Sequence, residues 1–266
     1  KLTTKYSMTD ISRETNISTS TVYRVLKEWY QPIQKYSYSL PNVLCFDEFK
    51  SVKNVEGAMS FIMMDGETKE LIDILPDRRL PHLEKYFSGF SLKNRENVRF
   101  VVTDIYRLYI ILTKKLFPNA KIVLDKFHLV QLIGKAFQKI RIRIMNQLKN
   151  QYNGTYYRRL KKYWKLLQKN RFKLNYEHKY WRAGFKNYLS EKEVLERLLT
   201  YSTELEEAYS VYQNILHAFQ EKDYPLFLEL INQPSTLKEF IPVFKTFKHY
   251  QSEIQNTFDT TYSNGP

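Results

Sequence analysis

Cysteine is almost missing from this chain of 266 residues: Cys45 stands alone, which excludes a disulfide framework and any zinc site built from cysteine pairs. Glycine is scarce, at seven, and no Gly-x-Gly-x-x-Gly or other phosphate-binding loop occurs, which argues against nucleotide-cofactor folds. No apolar run approaches the roughly 20 residues that cross a bilayer. The opening Lys1-Leu2-Thr3-Thr4-Lys5 is too polar for a signal peptide. The expectation is a soluble protein of a reducing cytoplasm without membrane contact. Acids are missing from one long stretch: residues 126–186 hold seventeen Lys or Arg and a single acid, Glu177. That local excess is larger than the +14 of the whole chain, so the remainder is close to neutral.

What is present supports a sizeable core, with 43% hydrophobic residues and 15% aromatics. In the basic stretch, Tyr152, Tyr156, Tyr157, Tyr163, Trp164, Tyr180 and Trp181 alternate with the cations. Such a mixture grips phosphates and stacks on bases, so nucleic acid is the expected partner, with Arg141, Arg143, Arg158, Arg159, Lys161 and Lys162 as candidate contacts. The bland alternative makes the aromatics the inner faces of helices whose outer faces are solvated lysine. Near the N-terminus, Met8 to Trp29 reads as two short helices around a tight turn, a helix-turn-helix pattern over a region 1–30. Asn16 suits the left-handed turn, Ser18 is an N-cap, and Ile11, Ile17, Val22, Val25 and Leu26 are the expected internal contacts. Thr19, Ser20, Tyr23 and Arg24 then face a DNA groove. A three-helix version needs a helix ahead of Met8.

Residues 31–41, with Pro32 and Pro41, read as a linker. Strands are predicted at 43–49, 59–64, 71–75, 98–103 and 121–124, with helices near 83–87 and 107–117. Three strands followed by helix, strand, helix and strand describe an α/β fold with a mixed sheet of the ribonuclease H-like kind over 42–128. From His128 to about Phe258 the pattern turns helical, giving an expected basic α-helical insertion over 129–258 after the last strand, with 259–266 starting the return to the core. Two buried strand patterns end in acids, at Asp47 and Asp104. Open α/β sheets bind ligands at the carboxyl ends of their strands, and paired carboxylates repel unless a cation joins them, so the pair points to Mg²⁺ or Mn²⁺.

Phe46-Asp47-Glu48, Val102-Thr103-Asp104-Ile105-Tyr106, Phe117-Pro118-Asn119-Ala120, Asp125-Lys126-Phe127-His128 and Ser263-Asn264-Gly265-Pro266 resemble, in order and spacing, bacterial insertion-sequence transposases of the ISL-three family, which carry a DDE core. The resemblance implies cutting and joining of DNA at element ends with two metal ions held by Asp, Asp and Glu, Asp47 matching the first acid and Asp104 the second. Glu48 points to the other face of its strand and is expected to be structural. Asp125 and His128 match a family motif and are possible neighbours of the site. The third acid is expected on a helix just after Ser-Asn-Gly-Pro, beyond Pro266, and the family's N-terminal Cys-rich segment has no counterpart, so the chain reads as a fragment. Glu253 and Asp259 are remote candidates for the third ligand. The resemblance also implies double-stranded DNA as partner, a homodimer pairing two ends, and association with the nucleoid when bound. Two other functions are compatible with the pattern: a non-catalytic helix-turn-helix DNA-binding protein, and a structure-specific nuclease on the same fold.

Overall fold

A computed structural model describes residues 6–29, 39–51 and 58–264, which fall into two compact units, Lys1–Ser39 and Leu40–Pro266. Most of the expected linker lies outside the described residues, as do Gly265 and Pro266.

In the first unit, α1 (Met8–Thr15) starts at a capping box in which the Ser7 side chain accepts from the Asp10 amide and the Asp10 carboxylate accepts from the Ser7 amide, each at 3.1 Å. It ends at Asn16, held at φ 55° and ψ 28°, the left-handed conformation that asparagine tolerates. α2 (Thr19–Trp29) follows, with the Ser18 hydroxyl accepting from the Thr21 amide at 3.2 Å. Ile11 and Val22 are buried between the two helices and Leu26 is half-buried. Ile17 and Val25, expected inside, are 44% and 45% exposed. Two helices enclose too little volume to cover five apolar residues, so only one from each is fully sequestered.

The second unit is built on a five-stranded mixed sheet of order β3-β2-β1-β4-β5. β1 (Val43–Lys50), β2 (Met59–Asp65) and β3 (Leu71–Leu75) form an antiparallel meander, while β4 (Phe100–Thr103) and β5 (Lys121–Leu124) run parallel to β1. Gly66 turns the chain out of β2, and a Cβ there would lie 2.3 Å from Val43 Cγ1, so only glycine fits the close approach. The connections are α3 (Leu80–Ser88) and the short α4 (Leu92–Glu96) before β4, and α5 (Arg107–Leu116) before β5. On one face Phe46, Phe61, Phe87, Tyr109 and Phe117 pack largely edge-to-face, with Phe46–Phe61 and Phe87–Phe117 centroids 5.1 and 5.2 Å apart. The other face carries smaller side chains, Val43, Cys45, Val102 and Val123, overlaid by Tyr262.

After β5 come α6 (Lys126–Gln147), α7 (Thr155–Lys162), α8 (Trp164–Gln168), a hairpin of β6 (Tyr180–Arg182) and β7 (Asn187–Leu189), then α9 (Glu191–Leu199), α10 (Thr203–Glu221), α11 (Tyr224–Asn232), α12 (Ile241–His249) and α13 (Gln251–Asp259). The predicted stripe of Ile133, Phe137, Ile140, Ile144 and Leu148 is buried along α6 and the turn beyond it. Two expectations need correction. The stretch is not helical throughout, because three-residue strands lie below the length at which alternation is legible. Ile110, Ile122 and Leu124 share one apolar cluster with α6, α10 and α12, so residues on both sides of 128/129 contribute to it. The return to the sheet also begins before 259. α13 lies along β5, with Asn256 Nδ2 donating to the Ile122 carbonyl at 2.8 Å and the Thr257 hydroxyl to Leu124 at 2.7 Å, which satisfies carbonyls of an edge strand.

Candidate active site at the carboxyl ends of the parallel strands

The parallel register places the acids. Cys45 pairs with Val102 and Val102 with Val123; continuing two residues sets Asp47, Asp104 and Asp125 in one row across β1, β4 and β5. Between β4 and β5 the ladder persists to that row, since the Asp125 amide donates to the Thr103 carbonyl at 2.8 Å. Neighbouring strands are about 4.8 Å apart, so the row clusters three carboxylates from residues 78 positions apart in the chain.

Their environments differ. Asp47 accepts from the Glu48 amide at 2.7 Å, and among the described residues neither Asp47 nor Asp104 has a cation at ion-pair distance. Burial pushes the Asp104 carboxyl up from its ordinary value; His128 pulls it down, while the negative Glu48 and Asp47 push it further up. Asp125 is buried at the N-cap of α6 without capping it; it accepts from the Ser263 hydroxyl at 3.0 Å and lies 3.9 Å from His128 Nε2. Glu48 lies on the Phe46 side of β1 and is engaged by the Arg78 guanidinium and by the Tyr109 hydroxyl at 3.2 Å. Arg78 is stacked 4.9 Å over Tyr106. Glu48 thereby has its own counter-ion, and its hydrogen bond holds the Arg78 guanidinium protonated well above its ordinary range.

Sequence reasoning missed the groups that assemble this end of the sheet. Ser263 reaches Asp125, Lys69 Nζ donates to the Ser263 carbonyl at 2.8 Å, and Asn264 Nδ2 donates to the Phe46 carbonyl at 2.8 Å. The signal was the motif Ser263-Asn264-Gly265-Pro266 itself, of which the described residues Ser263 and Asn264 meet Asp125 and β1. Glu253 is bound 2.8 Å from Lys114 Nζ, an ion pair that holds α13 to α5.

Of the residues expected to contact DNA, Thr19, Ser20, Tyr23 and Arg24 are all exposed on α2, and Arg158, Lys161 and Lys162 are exposed on α7. Three others are corrected. Arg141 is buried and donates to the Leu160 carbonyl at 3.0 Å and to Gln138 Oε1 at 2.6 Å. Arg143 grips Glu204 at 2.6 and 3.0 Å and Glu239 at 2.7 and 3.2 Å. Arg159 donates to the Gly184 carbonyl at 2.8 Å and the Tyr201 hydroxyl at 2.9 Å, with its guanidinium 4.2 Å from the centre of the Phe185 ring. These guanidiniums hold helices together and leave little for a phosphate.

A divalent cation fits the residues present in a limited way. Asp47 and Asp104 supply hard oxygen donors of the kind Mg²⁺ takes in ones and twos beside water and phosphate oxygens, and Asp104 is raised first by burial and then by the negative Glu48 and Asp47. Among the described residues, no three His, Cys, Asp or Glu side chains converge into a cage that would hold a metal unaided. No described helix is long and apolar enough to cross a membrane.

The chain is 34% identical over 100 residues to a protein of Lactococcus lactis subsp. lactis named ATP-dependent protease, a match covering 37% of this chain and 29% of that one. It thus spans less than a third of that relative, and the name describes that protein alone. No solved structure matches. The sequence pattern of the ISL-three DDE family, described as transposase, matches residues 44–266, a stretch that takes in both strand-end acids, the Asp125 to His128 turn and the terminal Ser263-Asn264 motif. With most of its length accounted for by that pattern, the chain belongs to the ISL-three family of DDE transposases.

Proposed function

We propose that this protein is a DNA transposase with a ribonuclease H-like core, which cleaves and joins phosphodiesters at insertion-sequence ends with Asp47 and Asp104 as its first two catalytic carboxylates. The observation that carries the proposal is the position of Asp47 and Asp104 two residues beyond the paired Cys45 and Val102 on adjacent parallel strands, with no ion pair to either among the described residues. The strand order β3-β2-β1-β4-β5, with an antiparallel meander followed by two parallel strands, supports the ribonuclease H-like reading.

Asp47 and Asp104 would hold the divalent cations, Mg²⁺ or Mn²⁺, two in a complete site. When bound, the ions supply Lewis-acid activation of the attacking oxygen and charge stabilisation of the departing one. The protein's part is positioning. β1 and β4 are rigid, buried strands, so their carboxylates are presented with little freedom to move. Arg78 and Tyr109 keep Glu48 occupied on the Phe46 side, which leaves Asp47 and Asp104 as the carboxylates available to the cation. Ser263 and Asn264 tie the terminal motif to Asp125 and β1, which brings to the strand ends the part of the chain that the family pattern follows with its third acid. Asp125 and His128 border the site in supporting roles.

DNA recognition is assigned to two surfaces. The first unit has the form of a helix-turn-helix with Thr19, Ser20, Tyr23 and Arg24 on the groove-facing side of α2. The second is the exposed basic face of α7, with Arg158, Lys161 and Lys162. Pairing two element ends requires two active sites, so the working assembly is a homodimer on DNA, in the cytoplasm at the nucleoid.

The test is cleavage and joining of a labelled element end by the complete protein in Mg²⁺, with Asp47→Asn and Asp104→Asn beside the parent. Loss of both steps with end binding retained is the expected result. Surviving cleavage in either variant would refute the assignment, and cleavage without any joined product would identify a nuclease instead.

A further inference from the structure

The hairpin of β6 and β7 carries a group of rings that the core does not use. Alternation along the two strands sorts the side chains. Leu189 is buried, 1% exposed, so its face of the hairpin turns inward. Trp181 and Tyr188, directly opposed in the antiparallel register, lie on the other face, 55% and 62% exposed. Their rings meet edge-to-face at 5.3 Å. Tyr180, paired with Leu189 and so on its face of the hairpin, is still 56% exposed, with the Arg182 guanidinium 5.6 Å above its ring.

The hairpin is anchored. At its turn Phe185 packs 5.6 Å from Tyr163 and is flanked by the Arg159 and Arg197 guanidiniums at 4.2 and 5.9 Å. The Phe185 amide closes the turn on the Arg182 carbonyl at 2.8 Å. Leu189 and the N-cap Ser190 fix the other end at α9. An isolated two-stranded hairpin is marginal in water, and here Phe185, Leu189 and Ser190 tie it to the helices. The outer rings of Trp181 and Tyr188 remain as an exposed aromatic pair inclined at 61° to one another.

We propose that Trp181 and Tyr188 form a stacking site for unpaired nucleobases of DNA, engaging single-stranded nucleotides next to the end being cut. The inference rests on the transposase reading above. Charge selects the occupant: the hairpin closes the 126–186 stretch, with its seventeen cations against Glu177, and Lys186 is exposed in the hairpin's own turn. A polyanion with planar faces fits such a surface, because the local excess of positive charge remains after Lys179 has paired with Glu193 and Lys169 with Glu191. Bases inside a duplex have both faces covered by neighbouring bases, so flat rings gain contact only where the stack is open.

The experiment uses the full chain without metal and measures affinity for a thymidine oligonucleotide of about 12 nucleotides, a length within the range of single-strand binding sites, and for a blunt duplex of equal length. Tryptophan fluorescence is recorded in the same titrations. Expected for Trp181→Ala/Tyr188→Ala is a loss of about tenfold or more for the single strand, with duplex affinity changed less than about twofold. Most of the tryptophan quenching produced by the single strand in the parent should vanish in Trp181→Phe, which keeps a stacking ring. Equal losses on both DNAs, no loss on either, or a parent dimer that dissociates in the double variant would each overturn the proposal. Because nothing in the assay requires cleavage, its failure leaves the Asp47 and Asp104 assignment standing, and failure of that assignment leaves the stacking result readable.

Discussion

At the carboxyl end of the sheet, Asp47 and Asp104 have no ion-pair partner among the described residues, and burial with the negative Glu48 and Asp47 raises Asp104 against the pull of His128, whereas in the helices Arg143 is enclosed by Glu204 and Glu239 and Lys169 is bound 2.5 Å from Glu191. Both regions belong to one compact unit of a strongly basic protein. Among the described strand-end acids, Glu48 is held by Arg78 and Asp125 lies 3.9 Å from His128 Nε2, while Asp47 and Asp104 have no ion pair. Charges that serve stability are compensated inside the fold, and charges left uncompensated mark where an external ion or polyanion completes the balance.

The sharpest way to break this contrast is Asp104→Asn. End cleavage by the complete protein should fall by about a thousandfold or more, equivalent to about 4 kcal/mol of barrier. The fold should not suffer. A carboxyl whose folded value is raised contributes stability below its unfolded value and loses it as pH rises through the folded value. Without metal, the variant should therefore melt at or above the parent at about pH 7, a difference that closes by about pH 3, where the parent carboxyl is protonated too. Calorimetry across pH would show the opposite trend if Asp104 were held by an internal cation.

Next in size is Arg141→Ala, which removes a buried guanidinium from the Leu160 carbonyl and should cost about 2–4 kcal/mol in urea unfolding. Unchanged stability would restore Arg141 as a surface contact. Arg143→Ala should cost about 1 kcal/mol, because its partners are partly exposed and screened, with little effect on DNA affinity once the protein is folded. Smallest is Lys161→Ala, exposed on α7. Its stability should stay within about 0.5 kcal/mol of the parent, while affinity drops about two- to fivefold for all sequences alike and the salt slope becomes shallower by about one. If Arg143→Ala weakened DNA binding more than Lys161→Ala, the separation between structural and ligand-facing cations would fail.

Five strands in order, α5 and the α6 stripe were legible because β-branched runs and a 3.6-residue period each mark one dominant way of burying apolar surface. Asp47 and Asp104 were legible because an acid terminating a buried strand is costly without a purpose. The β6–β7 hairpin was not, since Tyr180 to Arg182 and Asn187 to Leu189 are too short to show a period. Charge counting failed at Arg141, Arg143 and Arg159 for a related reason: a guanidinium reads the same in sequence whether its partner is a phosphate or a carbonyl twenty residues away.

Sequence by itself determined which residues are apolar, where the strand-end acids fall, that positive charge gathers in 126–186, and the family motifs. Tertiary structure alone decided which acids share a row, that Arg78 occupies Glu48, that Ser263 and Asn264 return to the strand ends, and that Trp181 and Tyr188 point outward. The physical reason is that local pattern records each residue's preference for water or core, while hydrogen-bond partners and like-charge neighbours come from strand register and helix packing between segments far apart in the chain.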